Sequence, residues 1–190
     1  MILDLFEETT SKEEQDEYFN MLKQSTNKLS ETIFFLNETV AIQSGIKTEN
    51  TVLNLEEEIQ KALVGINAIV KTSHAKINLE VDPDIEMVAT QSYFESIVFN
   101  LLTNAIKYKS PDRDPVITIT AKLIGDEIKL SIADNGLGID LEKNKDKIFG
   151  MYKTFHNNPD AVGLGLFMVK NHMDSMGGRI EIESEVNKGT

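Results

Sequence analysis

Cysteine is absent from the 190 residues of this chain. Its absence excludes a disulfide scaffold, a thiolate metal site and a cysteine nucleophile, and it fits a reducing cytosol. No apolar run is long enough to cross a membrane, and the N-terminus lacks a secretory signal pattern. We therefore expect a cytoplasmic location and no membrane contact by this chain, which leaves room for a membrane anchor elsewhere in the full-length protein.

Basic residues are also in deficit. The chain has 19 Lys and Arg against 31 Asp and Glu, which gives a formal charge of −12. Nucleic-acid binding needs clustered basic side chains, so this balance argues against a nucleic-acid partner. Residues 1–58 hold 4 basic and 13 acidic residues, whereas residues 59–190 hold 15 and 18. The second part is nearly balanced, so a polyanionic ligand is not excluded there.

In the acidic N-terminal part, apolar residues recur at alternating spacings of three and four. Only Thr26 is polar among these seam positions, which are Phe19, Leu22, Thr26, Leu29, Ile33, Leu36 and Val40. A stripe this narrow packs against another helix, which predicts a helical bundle or coiled coil. A single surface helix packed on its own domain is the alternative. Residues 1–8 are predicted as the end of a preceding helix, so we expect residues 1–50 to form a helical hairpin stem that begins in mid-domain.

Residues 51–190 carry the patterns of a mixed domain. Helices are predicted to start near Asn54, Thr90 and Gly163, the first with a capping-box-like Asn54–Glu57 pair. The predicted strands cover residues 77–81, 116–123, 127–133 and 179–185. Helices on one face of a mainly antiparallel sheet predict an α+β fold with two layers.

Four polar residues lie late in the second helix and share one face. Asn100, Asn104, Lys107 and Tyr108 are spaced at i, i+4, i+7 and i+8. An amide oxygen suits Mg²⁺, which keeps several waters and also binds substrate phosphate oxygens. An ammonium group suits phosphates, and a phenol suits a flat ring. A merely solvated helix face is the alternative for this cluster taken alone.

Two glycine motifs follow in order. The first, Asp134–Ile139, comes directly after a strand and has glycines at 136 and 138, so its backbone can approach a ligand closely. The carboxylate of Asp134 can accept a hydrogen bond from an exocyclic amine. The second, Gly163–Leu166, opens the last helix, where free N–H groups form an anion site. Neither motif matches a P-loop or a dinucleotide-binding turn.

The stretch between the glycine motifs is polar and basic with interleaved aromatic residues. Its notable members are Lys143, Lys145, Lys147, Ile148, Phe149, Tyr152, Lys153, Phe155 and His156. Such a stretch is typical of a mobile lid over phosphates, and a solvated loop is the alternative.

The ordered set resembles the ATP-binding domain of two-component sensor histidine kinases, in the superfamily of gyrase B, Hsp90 and MutL. Residues 100–108 are similar to its N box, 134–138 to its first glycine box, 148–152 to its phenylalanine box and 163–166 to its second glycine box. The resemblance covers about residues 51–190 and implies a two-layer α/β sandwich. The acidic seam helix resembles the second helix of the dimerisation and histidine-phosphotransfer hairpin of that family.

The resemblance implies ATP and Mg²⁺ as ligands, with Asn104 on the metal. It further implies a response-regulator receiver domain as partner and a homodimer through the stem. No residue is assigned as catalytic, because the transfer needs positioning and charge neutralisation and the nucleophile would be a hairpin histidine. The implied nucleotide-binding residues are Asn100, Asn104, Lys107, Tyr108, Asp134, Gly136, Gly138, Ile139, Lys153, Gly163, Leu164, Gly165 and Leu166.

The sequence also departs from the family pattern. None of His74, His156 and His172 has the surrounding motif of the phosphoacceptor, and each is expected to be a surface or structural residue. We therefore expect this chain to bind Mg²⁺–ATP without phosphorylating itself. Thr154 stands where a lid arginine is common, and Ala161-Val162 replaces a glycine and a hydroxyl residue. The family's last strand is not found after Thr190.

Three other functions are weighed against this one. ATP hydrolases of the superfamily carry a glutamate base four residues before the metal-binding asparagine, where this chain has Asn100, which cannot act as a base. A non-catalytic nucleotide-binding dimerisation module would have lost box residues, yet all four boxes keep their main polar residues. A protein-serine kinase is not expected to carry the acidic heptad helix.

Overall fold

The computed structural model describes residues 11–19, 21, 22, 25, 26, 29, 32, 33, 49–155 and 162–190. The chain divides into two compact units, and the larger one comprises Thr48–Phe155 and Gly163–Thr190. Within the described ranges, no helix is both long and apolar enough to cross a membrane.

The described stem residues from 12 to 33 are all helical, as the heptad spacing predicts. Three seam side chains are largely exposed, with Phe19 at 59%, Leu29 at 61% and Ile33 at 49%. The seam therefore presents apolar surface that can pack against another helix. The predicted preceding helix at residues 1–8, and the seam positions 36 and 40, lie outside the described residues.

The strands of the larger unit form two small sheets. In chain order the strands are β1 (Thr51–Asn54), β2 (Lys76–Glu80), β3 (Glu86–Ala89), β4 (Val116–Ile124) and β5 (Glu127–Asp134). The three-stranded sheet has the order β2-β4-β5, with β2 parallel and β5 antiparallel to β4. β1 pairs with β3 in an antiparallel two-stranded sheet. The predicted hairpin is thus confirmed, and Gly125 in its turn has a φ of 63°, a conformation that favours glycine.

The helices of this unit are α1 (Leu55–Gly65), α2 (Asn67–Ser73), α3 (Gln91–Lys107), α4 (Leu141–Asn144) and α5 (Gly165–Ser175). The predicted cap of α1 is confirmed, because the Asn54 side chain accepts a hydrogen bond of 3.0 Å from the N–H of Glu57. The predicted start of α3 near Thr90 is also confirmed, although the Thr90 hydroxyl donates to Oδ1 of Asn50 at 3.0 Å and forms no cap hydrogen bond with the helix.

The hydrophobic core lies between the helices and the three-stranded sheet. Ile117 and Ile119 of β4 are completely buried and share one cluster with Val98 and Leu102 of α3 and Ile59 of α1. Complete burial of each such side chain contributes roughly 1.5–3 kcal/mol to folding. This packing fixes the orientation of α3 and confirms the predicted α+β fold with two layers.

Three parts of the domain differ from the sequence-based expectation. The short strands β1 and β3 were not predicted, since four residues are too few to show alternation. The three-stranded sheet contains one parallel pair as well as the antiparallel hairpin. Residues 179–184 alternate between exposed and half-buried, as a strand would, but pair with no strand in the described parts of the chain. Only the bridge between Glu185 and Gly189 forms beside them.

Candidate functional site

The polar face predicted on the second helix lies on α3. Asn100, Asn104, Lys107 and Tyr108 are all half-buried. The neighbouring positions Val98, Leu102, Ala105 and Ile106 of α3 are buried in the core. Because the apolar side is fixed against the sheet, the four polar side chains share the remaining face.

The start of α5 packs directly on the two amides of this face. A Cβ atom at Gly165 would lie 3.0 Å from Oδ1 of Asn100 and 3.4 Å from Nδ2 of Asn104. The Asn100 amide is oriented by Ser96, whose carbonyl accepts a hydrogen bond of 2.8 Å from Nδ2. The oxygen of Asn100 is then turned toward the second glycine motif, where it can accept a hydrogen bond or contact a cation.

The first glycine motif packs on the C-terminal end of α3. The N–H of Leu137 donates to the carbonyl oxygen of Tyr108 at 2.9 Å. A Cβ atom at Gly136 would lie 2.5 Å from that oxygen, so the approach requires glycine. The first glycine motif and the polar face of α3, which are separate in the sequence, therefore adjoin in the structure.

Asp134 ends β5 and lines a cavity of about 380 Å³ together with Glu183, Ser184, Glu185, Lys188, Gly189 and Thr190. Its carboxylate accepts a hydrogen bond of 2.7 Å from the N–H of Gly136, and its backbone N–H donates to the carbonyl of Thr190 at 2.8 Å. Burial raises the pKa of Asp134 above its ordinary value of 3.8, and the hydrogen bond from the N–H of Gly136 offsets part of that rise. The cavity therefore presents a half-buried carboxylate that suits an exocyclic amine.

The raised pKa of Asp134 predicts a stability cost at neutral pH. The folded chain keeps this proton to a higher pH than the unfolded chain, so stability falls as pH rises from about 3.8 through the raised pKa. Asp134→Asn should therefore raise the melting temperature at neutral pH and leave it nearly unchanged below pH 3.8. Thermal unfolding followed by circular dichroism measures both. The exposed Asp126→Asn serves as control, and an equal gain for Asp134→Asn at both pH values would contradict the prediction.

Two parts of this site were not predicted from the sequence. Ser184 accepts a hydrogen bond of 2.7 Å from the N–H of Ile139, and its hydroxyl donates to the carbonyl of Gly189 at 2.8 Å. Arg113 contacts the glycine turn from the loop after α3. The turn motif Lys188-Gly189-Thr190 could have indicated the contacts of Ser184, whereas no spacing in the sequence indicates those of Arg113.

The segment predicted as a lid is partly built of short helices. Lys143 belongs to α4 and pairs with Asp140 at 2.7 Å, and Lys145 and Lys147 bound a 3₁₀ turn. The exposed Lys153 lies beside Gly163, where a Cβ atom would come within 2.6 Å of the lysine backbone. Lys153, late in the segment, thus adjoins the first residue of the second glycine motif.

The remaining predicted residues of the second glycine motif are apolar. Leu164 is buried and Leu166 is half-buried, so their side chains position the start of α5. Residues 156–161, which include His156 and Ala161, lie outside the described residues.

Comparison with known proteins identifies the family and the fold. Residues 89–190 match the family described as histidine kinase-, DNA gyrase B- and HSP90-like ATPase. The chain belongs to this family. The sensor protein RprX of Bacteroides fragilis is 35% identical over 117 residues, which cover 60% of this chain and 22% of that protein.

Solved histidine kinases share the fold. The catalytic domain of histidine kinase ThkA is 26% identical with a TM-score of 0.65, and the match covers 74% of this chain and 92% of that chain. ThkA in complex with the response regulator protein TrrA gives a TM-score of 0.72 at 22% identity, covering 93% of this chain and 49% of that chain. Together with the family match, these similarities identify the ATP-binding catalytic domain of a sensor histidine kinase. The chain spans well under half the length of the first curated relatives it matches.

Proposed function

We propose that this chain binds Mg²⁺–ATP between α3, the glycine motifs and the lid segment, for transfer of the γ-phosphate to a histidine of a dimerisation hairpin. One observation carries the proposal: both N-box amides lie against the start of α5, where Gly165 leaves room for them. A helix N-terminus provides N–H groups for phosphate, and amide oxygens are suitable ligands for Mg²⁺. Groups that can bind Mg²⁺ and groups that can bind phosphate therefore lie next to each other.

The residues divide between the two ends of the nucleotide. Asn104 would hold Mg²⁺ with support from Asn100, and Lys107 would contact the phosphates. Asp134 would accept from the adenine amine in its cavity, beside Tyr108. When bound, Mg²⁺ would neutralise charge on the phosphate oxygens. The remaining residues that line the nucleotide site and its lid segment would be Gly136, Gly138, Ile139, Lys153, Gly163, Leu164, Gly165 and Leu166.

The described histidines do not suit the role of acceptor. His172 is completely buried and stacks on Tyr93 with ring centroids 4.6 Å apart. His74 is exposed and ends α2 in a left-handed conformation with a φ of 58°. We infer that both histidines are structural and that the phosphate acceptor is another histidine. This chain would therefore bind ATP without phosphorylating itself.

Calorimetric titration with a non-hydrolysable ATP analogue and Mg²⁺ tests the site. We expect saturable binding of one nucleotide per chain, and no heat of binding would refute the nucleotide site. A version of this chain extended by a hairpin helix that carries an acceptor histidine should acquire acid-labile phosphate from labelled ATP. Acid-stable label would indicate transfer to serine or threonine, and release of inorganic phosphate without label would favour an ATP hydrolase.

We also propose that residues 1–50 form a dimerisation stem and residues 51–190 the catalytic domain, and that a response-regulator receiver domain is the partner. The relative ThkA was solved with such a regulator, and the stem seam is exposed at Phe19, Leu29 and Ile33. Sedimentation equilibrium should show a dimer that Leu29→Glu converts to a monomer. A monomer before substitution, or a dimer that survives it, would contradict this use of the seam. The cytoplasmic location remains a prediction.

A further inference from the structure

The guanidinium group of Arg113 donates to three backbone carbonyls. Its Nε lies 2.6 Å from the oxygen of Asn135, and its Nη2 lies 2.8 Å from that of Gly136 and 2.5 Å from that of Asn187. In the described part of the chain, the hydrogen bonds of Arg113 all go to neutral carbonyls. A cation bonded in this way fixes the direction of peptide groups, because its rigid fork of donors matches several acceptors at once.

The first of these peptide groups also holds the carboxylate of the site. The oxygen of the Asn135–Gly136 peptide accepts from Arg113, while its N–H donates to Oδ1 of Asp134 at 2.7 Å. A peptide group is planar, so fixing its oxygen on one side fixes its N–H on the other. Arg113 therefore acts on the Asp134 carboxylate through a single peptide plane.

The second peptide group ties the same turn to α3. The oxygen of the Gly136–Leu137 peptide accepts from Arg113, and its N–H donates to the Tyr108 carbonyl at 2.9 Å. Glycine is required at 136 by the close approach to Tyr108, yet glycine also allows a peptide to rotate most freely. A turn that needs glycine for space therefore needs another group to hold its peptide planes.

The third carbonyl belongs to Asn187, which directly precedes the cavity-lining residues Lys188, Gly189 and Thr190. Asn187 has a left-handed φ of 64° and donates its N–H to the carbonyl of Leu137 at 2.7 Å. The Arg113 bond to the Asn187 carbonyl thus joins the glycine turn to the segment that carries Thr190, whose carbonyl accepts from the backbone N–H of Asp134 at 2.8 Å. Arg113 is therefore bonded both to the peptide that holds the carboxylate and to the segment that holds the backbone of Asp134.

We propose that Arg113 is a positioning residue of the ATP site, which locks the Asn135–Gly136 peptide and thereby aims the Asp134 carboxylate into the cavity. The inference rests on the proposed role of Asp134 as acceptor for the adenine amine. Arg113 itself lies in the loop between α3 and β4, and it would act on the nucleotide through the backbone that it holds.

Calorimetry with the ATP analogue on a double-mutant cycle tests this inference. Arg113→Gln should weaken binding about tenfold, since it removes bonds from a charged donor. In a chain that already carries Asp134→Asn, Arg113→Gln should cause no further loss of affinity. The carboxylate that Arg113 orients is then already absent. Arg179→Gln is the matched control, as Arg179 is exposed and pairs with Glu127 on the hairpin. If the fold-loss of affinity in the double variant equalled the product of the two single fold-losses, the proposal would be overturned.

Two further measurements distinguish the hydrogen-bond geometry of Arg113 from its charge and from a general effect on folding. Arg113→Lys keeps the charge but cannot span three carbonyls, so it should bind about as weakly as Arg113→Gln; wild-type affinity would overturn the proposal. Amide exchange at Gly136 should quicken in both variants while the melting temperature stays near that of the wild type. If Arg113→Gln does not fold, the cycle with Arg113→Lys decides.

The outcomes distinguish this inference from the proposed function. If Asp134→Asn alone leaves binding unchanged, the assignment of the adenine site is refuted. If Asp134→Asn weakens binding and Arg113→Gln does not, only the role of Arg113 is refuted.

Discussion

Replacing Asn104 by alanine should weaken the binding of Mg²⁺–ATP about a hundredfold and leave the binding of metal-free ATP nearly unchanged. The expectation follows from the position of this amide, which lies on the half-buried face of α3 against the start of α5. If its oxygen is a metal ligand, only the part of the affinity that depends on the metal is lost. Titrations of ATP analogue with Mg²⁺ and with EDTA measure the two affinities separately.

A second asparagine provides the control for this experiment. Asn171 is also half-buried on a helix, and its amide donates to the carbonyl of Phe167 four residues earlier, as that of Asn100 does to Ser96. Asn171→Ala should therefore leave both affinities unchanged. Equal losses with Mg²⁺ and with EDTA for Asn104→Ala would show that Asn104 contacts the nucleotide or supports the fold rather than the metal.

Local patterns predicted the elements that carry the site. The spacing of apolar residues in α3 determines which face is left for Asn100 and Asn104, and the core confirms that burial. The hairpin of β4 and β5 was equally predictable, because strong alternation flanks a Gly-Asp turn. Such features depend on neighbours within a few residues, so one sequence is sufficient to find them.

The connections between those elements could not be predicted in the same way. Arg113 bonds the carbonyls of Asn135 and Asn187, which lie 22 and 74 residues away. A carbonyl group is present at every residue, so the sequence carries no sign of which ones an arginine will bind. The strands β1 and β3 escaped prediction for a related reason. Each has four residues, and their pairing joins positions about 35 apart, such as Val52 with Val88.

Replacing Gly165 by alanine should weaken binding of Mg²⁺–ATP about thirtyfold without lowering the melting temperature. The new methyl group would lie 3.0 Å from the oxygen of Asn100, closer than such atoms normally approach. Because Nδ2 of Asn100 is bonded to the Ser96 carbonyl at 2.8 Å, relieving this contact would displace a bonded amide from its position. The amides of the N box would therefore shift from the geometry that the metal and the phosphates require.

Gly65→Ala separates this local effect from the general effect of alanine in a helix. Both glycines lie at helix ends, but a Cβ atom at Gly65 would meet nothing within 4 Å. Alanine there should stabilise the fold by about 0.5–1 kcal/mol and leave ATP affinity unchanged. Alanine at 165 also favours the helix, so a loss of affinity with unchanged or higher melting temperature can come only from the contact with the amides. Unchanged affinity in Gly165→Ala would mean that ATP does not bind where α3 and α5 meet.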